Sequence, residues 1–491
     1  MARVLTLVQG SVRRSGIRSA GKPEAWHHCG TVYDIATSKQ ASLRKELGLR
    51  DLVMAQVLCV VGSSWVGIAA KLGRAHVVYW LGAILVYYVP LAVVVIYLNR
   101  MMPLEGGLYQ WARSGFGELA GFLTAWNLWV YAVIVIGGII FVVPTDTAYI
   151  LGPVAAWVPG SKVVTLVLTG SVVVGITLVA IRGLNLGKWL HNAGGVGIMT
   201  AYAILLVLPV WALLRRSITH YEPIPWELPR PSWFGLAVFG QMTVGALSGF
   251  EYIAIMAGEC RSPARTIGQS VIISAPIIAL MFILGTSSVL TFVGTQPINV
   301  IGPIPQTMRL ALGAAGWVAP IAILLLMTRA VAGASLIFTG LTRLPMTAGW
   351  DNLVPHWFAR LHPRWKTPVN SILFVAALVM SLIFLSMLGV REQEASQLLA
   401  GASIAHYAIA YIAMFALPLL GSRGLRSAIP NWVKLAALGG LISSVISLAI
   451  TIYPIVDVTS RGAYAAKIGL LLLASNLAGV MIYRAGKRSL G

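Results

Sequence analysis

The sequence predicts an all-α membrane protein with about twelve transmembrane helices, and three observations carry that prediction. Apolar residues make up 58% of the chain and charged residues only 10%, with a mean hydropathy of +0.82. Water-soluble domains cannot bury so much apolar side chain, so the surplus faces lipid. Apolar stretches matching the roughly 20 residues that cross a bilayer as a helix recur from about residue 50 onward. The ten-residue alternation of an outer-membrane barrel is missing, and lipid offers no hydrogen-bond partners to open strands, so the spans are helices.

In chain order, residues 1–48 hold no long apolar run, and the first 23 carry Arg3, Arg13, Arg14, Arg18 and Lys22 with no acid. This is the composition of a solvated, disordered basic tail. An Arg- and Ser-bearing, acid-poor N-terminus also fits a mitochondrial transit peptide, at the cost of a further assumption. Apolar spans then fall at about 52–70, 76–98, 118–144, 162–181, 191–214 and 233–257. Six more follow at about 268–293, 317–342, 369–388, 396–420, 433–454 and 463–483. The loops between them are too short for a separate domain.

Orientation follows from Lys and Arg, which concentrate on the cytoplasmic side of short loops. In the twelve-span arrangement the side of the N-terminal tail carries 25 of the 36, the other side carries 10, and Arg329 lies inside span eight. Both termini are therefore expected in the cytoplasm, with the bacterial inner (plasma) membrane as location. Lys71 and Arg74, in the first outer loop, run against the rule. The net charge of +21 is scattered over short loops rather than gathered in one stripe, so no nucleic-acid partner is expected. Cys29, Cys59 and Cys260 show no CxxC spacing, and His27, His28 and Cys29 have no second ligand pair, so no metal site is assigned.

Two spans are interrupted where a simple anchor would carry Leu or Ile. Span one contains Gly62-Ser63-Ser64-Trp65-Val66-Gly67, and span six contains Gly245-Ala246-Leu247-Ser248-Gly249-Phe250-Glu251. A single Gly cluster is adequately explained by close helix packing, as for Gly117-Glu118-Leu119-Ala120-Gly121. Paired interruptions in the first and sixth spans, one with a carboxylate, point instead to a transporter of two inverted five-helix repeats with a site between them. An unwound stretch frees backbone N–H and C=O groups that a solute can satisfy, and half-helix N-termini favour an anionic group.

Over about residues 48–485 the sequence resembles the amino acid–polyamine–organocation (APC) family of permeases, which are LeuT-like inverted-repeat transporters. Gly48-Leu49-Arg50-Asp51-Leu52 leading into Gly62-Ser63-Ser64 is similar to the family's first-helix entry and Gly-Ser-Gly break, with Ser64 where glycine is usual. Pro103-Leu104-Glu105-Gly106-Gly107-Leu108-Tyr109-Gln110-Trp111, with Phe116-Gly117 and Gly121 to Asn127, resembles the second loop and third-helix start. Ser248-Gly249-Phe250-Glu251 and Ala257 to Ile267 resemble the sixth-helix break and exit, with Gly245 or Leu247 in place of the usual aromatic gate. Thr342-Arg343-Leu344-Pro345, Asn352-Leu353-Val354-Pro355 and Thr367-Pro368-Val369-Asn370 resemble the loop after helix eight.

The resemblance implies a 5+5 inverted repeat with broken helices 1 and 6 plus two extra helices. The first repeat would cover about residues 49–214, the second about 233–420 and the extra helices about 433–483, within a membrane transport domain of 49–485. It implies an amino acid site at the two breaks and alternating access. By position, Gly62, Ser63 and Ser64 would hold the substrate carboxylate, while carbonyls around Ala246, Leu247 and Ser248, beside Gly249, would take the α-amino group. Glu251 matches the family's sixth-helix glutamate.

Three ionisable residues lie well inside spans: Glu251, Arg329 and His406. A charge at the bilayer centre costs about 2.5–3.5 kcal/mol on insertion scales, so Arg329 must face a cavity or a partner. It either reads an acidic substrate side chain or pairs with Glu251. His406 is a coupling candidate if water reaches it and otherwise bonds a neighbour. The coupling ion, H+ or Na+, stays open: Met199, Thr200 and Ala201 stand where proton-coupled relatives carry a helix-five lysine, and Ser335 with carbonyls near Val61 is a sodium candidate.

The leading reading is a secondary transporter of amino acids, with polyamines or other amine solutes as the alternative. A channel-like or structural membrane protein would need no broken first and sixth helices. A membrane enzyme would need clustered acid, base or nucleophile groups, and those here are dispersed. Gly194-Gly195-Val196-Gly197 lies in an apolar span with no preceding strand and is no nucleotide loop. No cofactor is expected, and the partners are a small-molecule substrate and the lipid bilayer.

Overall fold

A computed structural model describes residues 48–102, 107–250, 263–313, 316–343, 356–422, 426–427 and 429–488. The basic tail lies outside the described residues, as do 251–262, with Glu251, and 344–355. The first span is two helices, α1 (Leu49–Val60) and α2 (Ser63–Ala70), bent by 48° at Val61 and Gly62. The second runs through α3 (His76–Ala83), a π-helical turn (Ile84–Tyr88) and α4 (Val89–Met101). After a short α5 (Leu108–Phe116) come α6 (Glu118–Ile140) and its continuation α7 (Val143–Leu151), then α8 (Lys162–Arg182) and α9 (Leu184–Leu214).

The second half begins with α10 (Trp233–Gly240), which passes into a π segment (Gln241–Ala246). It continues with α11 (Pro263–Val293), a short α12 (Pro303–Leu312), α13 (Val318–Arg343), α14 (Val369–Ser386) and α15 (Glu392–Leu420). The chain closes with α16 (Asn431–Ile450) and α17 (Arg461–Arg488). Among the described residues, ten helices are long and apolar enough to span a membrane, and the bent pair makes eleven. The remaining expected span, span six at 233–257, appears as an apolar helix over Trp233–Ala246 and runs on into residues outside the described ones.

Sequence chemistry sets the helix ends. Ser161 and Ser232 cap α8 and α10 through hydrogen bonds to the third residue onward, 2.9 Å at Gly235 N. Such caps satisfy N–H groups that a helix start otherwise leaves open. Gly117, at φ +94°, makes the sharp corner between α5 and α6 that an L side chain resists.

The core brings α9 against α13 and α15 against α6 and α16. Gly194 and Gly197 explain the first contact: a Cβ at Gly194 would lie 2.3 Å from Ala332 Cβ, and one at Gly197 2.7 Å from Leu325 O. The Gly-rich run of span five is therefore a packing surface. At the other end of the fold, α17 docks through polar groups. Asn127 Nδ2 donates to Asn476 Oδ1 at 2.7 Å, and Trp126 Nε1 donates to Ser475 O at 2.8 Å.

Candidate functional site

Gly62 separates α1 from α2, with extended φ and ψ of −103° and 143°, and no side chain caps the start of α2. The first-turn N–H groups of Ser63 and Ser64 therefore head a helix beside a cavity of about 120 Å³. Gly62, Ser63 and Ser64 line it from the first break and Gly245, Ser248 and Gly249 from the sixth. Arg329 on α13 and Gln397 on α15 complete its polar wall, and Tyr131 and Tyr407, stacked with ring centroids 3.8 Å apart, supply an aromatic one.

Five of the expected substrate-binding residues thus come together: Gly62, Ser63, Ser64, Ser248 and Gly249. Ala246 and Leu247 do not line the cavity and are sealed in the core. A π segment, Gln241–Ala246, ends at the first of them and leads directly into the second. Trp65 from the first break packs against Gly245. A Cβ at Gly245 would lie 2.7 Å from the Trp65 ring, and one at Gly62 2.8 Å from its other edge.

Three tyrosines on three different elements hold the breaks. Tyr202 on α9 donates to Gly62 O at 3.2 Å, Gly249 N–H donates to the Tyr411 hydroxyl at 3.1 Å, and the Tyr87 hydroxyl bonds Ser248 Oγ at 2.7 Å. All three tyrosines are buried. Each hydroxyl serves a group at or beside an interrupted helix, where the helix itself offers fewer partners. A tyrosine in an apolar span reads as a core aromatic, so sequence reasoning missed them.

Arg329 is only 8% exposed. Its Nη2 donates to Leu58 O at 3.2 Å, at the carbonyl end of α1, where the helix dipole favours a cation. Its Nε has no partner among the described residues, and no carboxylate of the described residues lines the cavity. The expected Arg329–Glu251 pair and the substrate role of Glu251 lie outside the described residues. His406 is buried away from the cavity, with Nδ1 on Ala402 O at 2.8 Å and Nε2 on Ser475 Oγ at 2.7 Å, which ties α15 to α17. Ser335, the sodium candidate, is buried, its hydroxyl has no partner among the described residues, and it is not among the cavity-lining residues.

A wider vestibule of about 870 Å³ lies at the far end of α2 from the break, lined by Lys71, Lys162, Arg391, Glu392 and Asp457 among others. Its wall on α15, Glu392 to Ala395, runs directly into the cavity wall at Ser396 and Gln397. Burial pushes the Lys71 ammonium below the usual lysine value, and the Asp457 carboxylate pulls it partly back. Arg74, the other residue against the charge rule, instead bridges to Glu222 at 2.7 Å and Glu227 at 3.7 Å.

Comparison with known proteins places this geometry. A family model described as "Amino acid permease" matches residues 52–473. An uncharacterized transporter of Legionella pneumophila is 26% identical over 76% of this chain and 80% of its own. The branched-chain amino acid permease BcaP of Bacillus subtilis is 26% identical over 71% and 77%. A probable agmatine/putrescine antiporter of Lactococcus lactis is 21% identical over 67% and 68%. The solved structure of a Na+-coupled sialic acid symporter, a LeuT-like fold, superposes with a TM-score of 0.52 at 12% identity, covering 87% of this chain and 95% of that one.

Proposed function

This chain belongs to the amino acid permease family of the APC transporters, and on that premise we propose that it is a secondary active transporter that moves amino acids by alternating access. It is a multi-pass membrane transporter rather than an enzyme. The observation that carries the finer reading is one cavity lined by both broken helices, Gly62 to Ser64 on one side and Ser248 with Gly249 on the other. The uncapped start of α2 offers N–H donors to a carboxylate. The Ser248 and Gly249 wall faces it, at the position from which an amino group is held in the family resemblance. Stacked Tyr131 and Tyr407 give the site a flat apolar flank.

A polyamine fits this wall less well. Among the described residues its one full charge is the Arg329 guanidinium, which repels a cationic amine without a carboxylate. The basic-side asymmetry supports cytoplasmic termini in a bacterial inner membrane. Counterflow in proteoliposomes tests the function: radiolabelled amino acids should accumulate in vesicles preloaded with the matching unlabelled one, with saturation. If no amino acid drives accumulation in vesicles that hold folded protein, the amino acid reading fails.

A further inference from the structure

We propose that the cavity selects solutes carrying a net negative charge, with acidic amino acids as the matching class, and that Arg329 is the residue that imposes this choice. The inference rests on the transport reading above and concerns which amino acids that site takes.

The argument is one of charge balance. Arg329 keeps its proton in any environment a protein provides. It is more than nine-tenths buried, faces the cavity, and spends one N–H on Leu58 O while its Nε has no partner among the described residues. The carbonyl end of α1 and the N–H end of α2 contribute opposite partial charges on the two sides of the break, so they nearly cancel. A zwitterionic amino acid adds no net charge to balance the guanidinium. A solute with two carboxylates and one amino group brings a negative charge that none of the described cavity-lining residues carries, and a guanidinium binds a carboxylate through paired N–H donors.

The vestibule supplies an independent second observation. Lys71 and Arg391 lie on the side that the charge rule leaves poor in cations, and with Lys162 they line the approach against only Glu392 and Asp457. Thr145 Oγ1 donates to Glu392 Oε1 at 2.5 Å. Three cations against two carboxylates leave the lining with a net positive charge, which favours solutes of the opposite sign. The anomalous Lys71 thereby acquires a role alongside Arg329.

The test uses the full chain in proteoliposomes preloaded with glutamate, aspartate, glutamine, leucine or arginine, each with its labelled counterpart outside. The expected result is counterflow with glutamate and aspartate at least tenfold above the other preloads. Arg329→Gln should lose the acidic solutes by tenfold or more and gain glutamine, while Arg329→Lys keeps part of the acidic preference. Lys71→Gln should raise the half-saturation concentration for glutamate at low ionic strength and flatten its salt dependence. Counterflow with leucine or arginine in preference to the acids overturns the inference and leaves the amino acid reading standing, with the counter-charge then supplied by Glu251. An acid preference unchanged in Arg329→Gln also overturns it. Should the variants fail to elute as folded protein, the wild-type preload series alone decides.

Discussion

Replacing Gly194 by Ala puts the contact between α9 and α13 to a sharp test. The new Cβ would sit 2.3 Å from Ala332 Cβ, 3.5 Å from Arg329 Cα and 3.7 Å from Ala332 Cα. No flexible side-chain end is there to swing aside, so the two helices must separate by about 1 Å or more to restore an ordinary carbon contact. Overpacking of this kind costs about 1–3 kcal/mol, and contact with a Cβ fixed to its backbone places it near 3. Alanine regains roughly 1 kcal/mol of helix backbone entropy, leaving a net loss near 2 kcal/mol. Gly175 and Gly469 are helical glycines with nothing within 4 Å of an added Cβ, so alanine there should stabilise by about 0.5–1 kcal/mol. The assay is the apparent melting midpoint in detergent at one heating rate, read as soluble monodisperse protein after heating. Each kcal/mol moves a domain of 150–250 residues by about 2–4 °C and a longer chain by less, so the variants should fall on opposite sides of the wild type. Transport should fall with Gly194→Ala as well, because α9 carries Tyr202 and α13 carries Arg329. A Gly194→Ala protein that melts at or above the wild type refutes the close contact and the reading of the Gly-rich run as a packing surface.

Other perturbations separate the parts of the site. Tyr202→Phe and Tyr411→Phe each leave a buried backbone group at a break without its partner, at about 1–3 kcal/mol. Their half-saturation for the transported solute should rise roughly 5- to 100-fold while expression holds, and unchanged values would show that the hydroxyls do not shape the site. Arg74→Gln removes an exposed ion pair worth about 0–1 kcal/mol, and uptake should stay within twofold. His406→Gln should leave the pH profile of uptake unmoved, since His406 ties α15 to α17; a displaced profile would restore it as a proton carrier. The guanidinium at the carbonyl end of α1 already supplies a cation there, so replacing external sodium by potassium should leave the uptake rate unchanged.

The spans were legible because apolar runs of bilayer length have few other uses, and the breaks because paired small and hydroxyl residues waste apolar surface at mid-membrane. Gly62, Ser63, Ser64, Ser248 and Gly249 follow from that pattern. Ala246 and Leu247 were named for their carbonyls by position in the family resemblance, and the π turn beside them, Gln241–Ala246, leaves no trace in the apolar pattern. Trp65 filling the space beside Gly245 was invisible for a different reason: it is a steric match between residues 180 positions apart, and neither partner is unusual alone. Lys71 and Arg74 were both visible as violations of the charge rule. Only the structure separates them, into a vestibule cation and an inter-loop ion pair.

The hydrogen bonds that hold the breaks bear on how the carrier turns over. Gly62 is held from α9, Gly249 from α15, and the end of α1 from α13, so each break is tied to a neighbouring helix as well as to its own. Any rocking of the α1 and α2 pair against α13 must stretch or exchange the Arg329–Leu58 contact. In an empty cavity no carboxylate among the described lining residues takes the donors that this movement frees. With an anionic solute aboard, a carboxylate takes those donors throughout the movement, and the barrier falls. Exchange of solute for solute should therefore outrun net release. With both measured in the same proteoliposomes, efflux into buffer containing the transported solute should exceed efflux into solute-free buffer by tenfold or more, a barrier difference of about 1.4 kcal/mol or greater. Equal rates would mean that the empty carrier reorients freely and that Arg329 makes no demand on its contents during the step.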